Sequence, residues 1–246
     1  MPEETLQEIR YALRWGEQPI SGTARVLAGP IRAADLLPVL QQIDDVLIHA
    51  AVKHAESQGR HVSCRPGCGA CCRQMVPISE TEARYLADLV SAMPEERRER
   101  VIARFADAVA TLRASGLLEM PADPGERHRL GVEYFRLGLP CPFLEDESCS
   151  IHEDRPASCR EYLVTSPAVN CSAPNGENIQ MVELPAKLSQ ALYRFGDGQG
   201  EGPARWMPLP LLLEWAADHG DDPQPAAPGA ELLRNFMNGL TKRHLI

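Results

Sequence analysis

Eight cysteines in two dense groups constrain this chain more than any other feature of its sequence. Four lie within nine residues, Cys64-Arg-Pro-Gly-Cys68-Gly-Ala-Cys71-Cys72, and the other four, Cys141, Cys149, Cys159 and Cys171, fall within thirty-one. Two soft-donor segments separated by a long cysteine-free span predict one metal site built from both ends of a fold. Disulfides are the competing use of clustered cysteines, and the redox compartment decides between them. The first ten residues have neither the basic n-region nor the apolar h-region of a secretory signal, which points to the cytoplasm. Thiols stay reduced there, so the clusters read as metal-binding or catalytic rather than as cross-links.

The 246 residues, 44% of them hydrophobic, suffice for a buried core without disulfides, and the expectation is a single domain over 1–246. No apolar run approaches the roughly 20 residues that cross a bilayer, which argues against membrane insertion. The formal charge of -9 leaves no global basic surface for a phosphate backbone, which argues against nucleic acid as a partner.

Periodicity predicts a mainly α fold. Residues 1–60 form an N-terminal helical segment, with Leu6, Ile9 and Leu13 at helix spacing in a first helix. Leu36, Leu37, Leu40, Ile43, Leu47, Ile48 and Ala51 form an apolar stripe in a second helix, from about Ala33 to Ser57. His49 and His54 on that helix are five apart and read as ordinary helix residues. Residues 61–175 form the cysteine-cluster core. Within it Pro66 and Gly67 oppose continuous helix, so Cys64 to Cys72 reads as a turn. The two-residue gap between Cys68 and Cys71 lets two thiolates converge on one tetrahedral ion. Adjacent Cys71 and Cys72 cannot easily point the same way. Either they serve two metal centres or one is a buried small hydrophobe.

Ser79 and Glu82 stand at capping-box spacing and open a helix carrying Ala83, Leu86 and Val90. Pro94 suits the first turn of the next, where Val101, Phe105, Val109 and Leu112 recur, and the two form a helical hairpin. Ser115 to Gly131 reads as a loop. In the second cluster Asp146-Glu147 turn the chain, and Pro156 opens a short helix carrying Cys159, whose thiol would gain from the exposed amides. Arg155 and Arg160 either add positive charge beside the thiolates or pair with Glu153, Asp154 or Glu161. His152 is a borderline zinc ligand or a packing residue. Residues 176–246 form a C-terminal helical extension, with helices over Leu184 to Phe195, Leu211 to His219 and Ala230 to Leu240. Trp206, Trp215 and Phe236 read as core.

The Cys-x3-Cys-x2-Cys-Cys element, the following Pro77-Ile-Ser-Glu-Thr-Glu-Ala-Arg-Tyr-Leu86, and the later Cys-Pro-Phe-Leu, Cys-Ser-Ile-His and Arg-Pro-Ala-Ser-Cys-Arg together resemble the zinc- or iron-chelating cysteine-cluster family, also called YkgJ-like. The resemblance covers about Cys64 to Cys171. It implies metal binding through the cysteines, as zinc, iron or an iron-sulfur centre, and little about a reaction. A tyrosine is usual in the family where His152 stands, which argues against a ligand role there. Flagellin lysine methylases contain a similar cysteine domain. The segment Gly196-Asp-Gly-Gln-Gly-Glu-Gly202, however, fails the Gly-x-Gly-x-x-Gly spacing and reads as a flexible loop.

The expected protein is therefore a mainly α helical domain with a loop-rich cysteine-cluster metal site, whose thiolates hold zinc or an iron-sulfur centre. The competing classes are an iron-sulfur redox enzyme, a protein-modifying enzyme, and a metal-handling or protein-interaction module.

Overall fold

The computed structural model describes residues 5–121, 123–175, 177–196, 203–220 and 224–241. The chain opens with β1 (Leu6–Trp15) and β2 (Gln18–Leu27), an antiparallel ribbon turning at Gly16-Glu17, followed by β3 (Pro30–Arg32). A 3₁₀ turn over Ala33–Leu36 leads into the long α1 (Leu37–Ser57). After the first cysteine segment come β4 (Pro77–Ser79), α2 (Glu80–Ser91), α3 (Glu95–Ala114) and α4 (Pro124–Arg136). The second segment holds the hairpin β5 (Leu144–Glu145) and β6 (Ser148–Cys149), then α5 (Ala157–Arg160). The remainder comprises α6 (Leu188–Leu192), β7 (Trp206–Pro208), α7 (Leu212–Asp218), β8 (Ala226–Pro228) and α8 (Gly229–Thr241).

Helix accounts for about 50% of the described residues and strand for 17%, so the mainly α reading holds. The first predicted helix does not. Leu6, Ile9 and Leu13 fit a 3.6-residue period, but Leu6 is 58% exposed. The pattern that folds is Ile9, Tyr11, Leu13 and Trp15 turned toward the protein, with Arg10, Ala12 and Arg14 exposed between them, which is the two-residue period of a strand. The predicted loop from Ser115 to Gly131 is also shorter than expected. Asp123 caps α4 by accepting the Glu126 amide at 2.9 Å, with Pro124 in the first turn, so the breakers there mark a helix start. The helix expected over Leu184 to Phe195 is confined to the single turn of α6. Most of the glycine segment 196–202 lies outside the described residues.

Among the described residues the strands form four two-stranded antiparallel pairs, the local hairpins β1 with β2 and β5 with β6 and the long-range pairs β3 with β8 and β4 with β7. β8 closes on β3 and β7 on β4, so the C-terminal elements complete structure begun near the N-terminus and just after the first cysteine segment. One apolar cluster joins Leu36, Leu40, Ile43 and Leu47 to Leu13, Ile20 and Val26 of the ribbon and to Phe195 and Phe236. A second gathers Ile78, Leu86, Val101, Phe105, Phe143, Ile151 and Leu212, with Cys141 and Cys149 packed against it. The ring pairs Phe105–Phe143 and Phe195–Phe236 meet edge to face at 5.2 Å.

Polar groups interrupt the side of α1 that faces the cysteine core. Asp44 is 1% exposed, and neither of its oxygens has a hydrogen-bond partner among the described residues. Burial, reinforced by the neighbouring Glu161 carboxyl, pushes its pKa up to about 8. Glu161 is itself raised to about 7 by burial, although Ser189 donates to it through its amide at 2.9 Å and its hydroxyl at 2.5 Å. The unfolded Asp44 carboxyl loses its proton near pH ~3.9, whereas the folded one keeps it to about 8. Between those values the folded state binds more protons, so this group makes stability fall as pH rises, and the loss levels off above the folded pKa. Asp44→Asn should remove that dependence. Urea denaturation between pH 5 and 8 should show the natural chain losing up to about 1.4 kcal/mol per pH unit more than the variant. Equal slopes would refute the assignment.

Candidate metal centre

The first cysteine segment is a turn followed by one short 3₁₀ helix, as Pro66 and Gly67 require. The Cys68 amide donates to the Arg65 carbonyl at 3.1 Å, and Gly67 takes φ +81°, the signature of a type II turn with proline second and glycine third. Ala70–Arg73 then winds as 3₁₀ helix, with the Cys72 amide donating to the Gly69 carbonyl at 3.0 Å.

The second segment is brought against the first through the backbone. The Cys141 amide donates to the Cys72 carbonyl at 2.7 Å, and the Gly67 amide donates to the Ser148 hydroxyl at 3.2 Å. Ser63 donates its amide to the Val164 carbonyl at 2.9 Å and its hydroxyl to the Ser166 carbonyl at 2.5 Å. The 3₁₀ helix Ala168–Ser172, which carries Cys171, packs on Ala70–Arg73. The β5–β6 hairpin turns through Asp146 and Glu147, both at positive φ, and lays its tip over Gly69. A Cβ on Gly69 would stand 2.9 Å from Leu144 and 3.2 Å from the Glu147 Cα, so only glycine admits the hairpin this closely. Arg73 clamps the same tip, donating to both Glu147 carboxylate oxygens at 2.9 and 2.6 Å and to the Gly69 carbonyl at 3.0 Å. That guanidinium holds the Glu147 carboxyl below its ordinary range.

Cys159 reaches the site on α5, as Pro156 predicts, but what seats α5 was not legible. The buried Glu82 carboxylate accepts the Ser79 amide and hydroxyl, each at 2.8 Å, and on its other oxygen the Ala157 amide at 2.8 Å. One side chain therefore closes the capping box of α2 and caps α5. The Ser158 hydroxyl donates to the Pro77 carbonyl at 2.8 Å, adding a second tie between α5 and β4.

All eight cysteines are free thiols. Charge on one would disfavour charge on its neighbours in two sets. Cys72, Cys141, Cys149 and Cys159 form one, in which Cys141 and Cys71 repel Cys159, Cys141 and Cys159 repel Cys72, and Cys149 repels Cys141. Cys64, Cys68 and Cys171 form the other, and Cys71 acts on members of both. Burial pushes the Cys141 thiol up to about 12 and Cys159 well above its ordinary value, and it raises Cys64, Cys149 and Cys171. Cys71 moves the other way, because the Cys72 thiol donates to it. The adjacent pair thus splits into a thiolate-favouring Cys71 and a proton-holding Cys72.

Arg155 supplies positive charge that adds to the lowering of Cys71 and offsets part of the burial that raises Cys64 and Cys149. Arg160 points elsewhere, donating to Asp45 at 2.6 Å and to the Glu153 and Arg155 carbonyls. Asp45 is thus a partner that no local reading offers. His152 contacts the Arg155 guanidinium, and burial followed by that charge lowers its pKa. Among the described residues no three His, Cys, Asp or Glu side chains stand close enough together, as they lie, to hold a metal ion. The donor chemistry, eight reduced thiols in mutual electrostatic contact, nevertheless suits zinc or iron.

Clustered reduced thiols are the donor set of thiol-based metal-chelating proteins. Residues 63–183 match the family CxxCxxCC, described as a putative zinc- or iron-chelating domain, and this stretch carries the cysteine-cluster domain of that family. Comparison with curated proteins and with solved structures found no match.

Two variants test how the site is assembled. Gly69→Ala should lift the β5–β6 tip and cost about 1–3 kcal/mol, the usual range for overpacking, with a lower melting temperature as the readout. Glu82→Ala strands three buried donors and should cost about 3 kcal/mol or more. A melting temperature unchanged in either variant would show that the contact does not position the cysteines.

Proposed function

We propose that this protein chelates zinc or iron through its eight cysteines as two four-thiolate groups. Cys72, Cys141, Cys149 and Cys159 form one, and Cys64, Cys68, Cys71 and Cys171 the other. The observation that carries the reading is geometric. The Cys141 amide is bonded to the Cys72 carbonyl, and the 3₁₀ helix bearing Cys171 packs on Ala70–Arg73. Each half of the first segment thus has its own partner in the second, in keeping with the mutual repulsions of the thiols. Four thiolates are the usual complement of a closed structural zinc site and of a common iron-sulfur centre. Adjacent Cys71 and Cys72 then belong to different groups, which suits two side chains that cannot easily face one way.

The chain's own residues prepare this chemistry. Arg155 offsets part of the burial that raises Cys64 and Cys149 and adds to the lowering of Cys71, while burial raises Cys141 and Cys159 most, and a bound cation would favour their thiolates. A bound metal would supply the folding free energy that thiol repulsion withholds. A second reading, an iron-sulfur redox centre, draws on the same observation of an all-thiol donor set packed against apolar side chains such as Phe143 and Ile151.

Metal analysis and absorption spectra of anaerobically purified protein test both readings. Two equivalents of zinc without colour support the structural site, and iron with thiolate charge-transfer bands supports the redox centre. Neither metal at stoichiometric level would sink the proposal. Cys159→Ser and Cys171→Ser should each remove about one equivalent and leave the other group loaded, and loss of all metal from either variant would overturn the partition.

A further inference from the structure

A cleft without cysteines lies beside β7 and α7, lined by Trp206, Met207, Trp215, Met120, Arg127 and Glu80 around a space of about 370 Å³. That volume is near the lower end for sites that hold small organic molecules. Both tryptophans read as core in the sequence, yet both are only half-buried and turn surface toward this space. Their positions are set by other contacts. The Arg84 guanidinium stands 5.1 Å from the Trp215 ring, His219 stacks on it at 4.5 Å, and Trp206 lies 6.4 Å from the Tyr193 ring.

Charge defines what the cleft would accept. Glu80 and Arg205, both on its wall, face each other at 3.6 Å and offset one another. Arg127 is half-buried and has no ion pair among the described residues, which leaves one unmatched positive charge on the wall. A guanidinium offers planar paired donors to a carboxylate or phosphate, and indole and thioether surfaces pack against an aromatic ring. A purely cationic or neutral ligand would leave Arg127 unanswered.

We propose that this cleft binds a small anionic aromatic molecule, its acid group on Arg127 and its ring against Trp206 and Trp215. The site involves none of the cysteines and stands independently of the metal reading. Isothermal titration of the full chain, as purified, with 2-naphthoate and with neutral 2-naphthalenemethanol tests it. One naphthoate should bind per chain, at least tenfold more tightly than the alcohol. Arg127→Ala should weaken naphthoate about tenfold and leave the alcohol unchanged, while the exposed neighbour Arg129→Ala should alter neither. Unchanged metal content and circular dichroism verify that each variant is folded. Equal binding of the two compounds, no binding of either, or an equal loss in Arg127→Ala and Arg129→Ala would overturn the proposal.

Discussion

A single buried carboxylate links the parts of this protein that carry its chemistry. Glu82 is 1% exposed and accepts three hydrogen bonds, two from Ser79 and one from the Ala157 amide. A carboxylate out of water is costly unless its oxygens are satisfied, and those three donors offset much of that cost. Burial still raises its pKa. The consequence is geometric. Ser79 ends β4, six residues after the first cysteine turn leaves its 3₁₀ helix, and Ala157 begins the helix that carries Cys159. With the Cys141 amide bonded to the Cys72 carbonyl, this contact holds two segments far apart in sequence against one another.

Electrostatics around that junction divide the acidic and basic residues by task. Asp44, Glu82 and Glu161 form a buried acidic interior behind the site, and the charge of Arg160, itself held by Asp45 and two carbonyls, opposes the raising of Asp44. Arg155, only five residues earlier, acts on the thiols instead. Two arginines in one short stretch thus take different partners. The thiols follow the same logic. Burial in apolar surroundings raises Cys141 and Cys159, whereas the hydrogen bond from Cys72 lowers Cys71.

Several elements were legible because their causes are local. The apolar stripe of α1, the capping box of α2, the proline-led start of α3, the Pro66-Gly67 turn and the Pro156-led α5 all form where their own residues ask for them. The N-terminal ribbon was not legible, because Leu6, Ile9 and Leu13 satisfy a helical period while Ile9, Tyr11, Leu13 and Trp15 satisfy a strand period. Packing of the second set against α1 and α8 decides between them. The start of α4 was hidden for a related reason, since the proline and acidic residue that suggest a loop are also a helix cap.

The sequence by itself determined the donor set, its division into two segments, the mainly helical character and the cysteine-cluster family, since spacing and side-chain chemistry are properties of neighbouring residues. Only the tertiary structure decided which thiols influence which. It also decided that Glu82 caps a second helix, that Arg160 and Arg155 part company, and that Trp206 and Trp215 line a cleft. Each of those facts depends on contacts between residues tens to more than a hundred positions apart. Such contacts are fixed by how apolar faces and buried polar groups are satisfied together, and no local pattern records them.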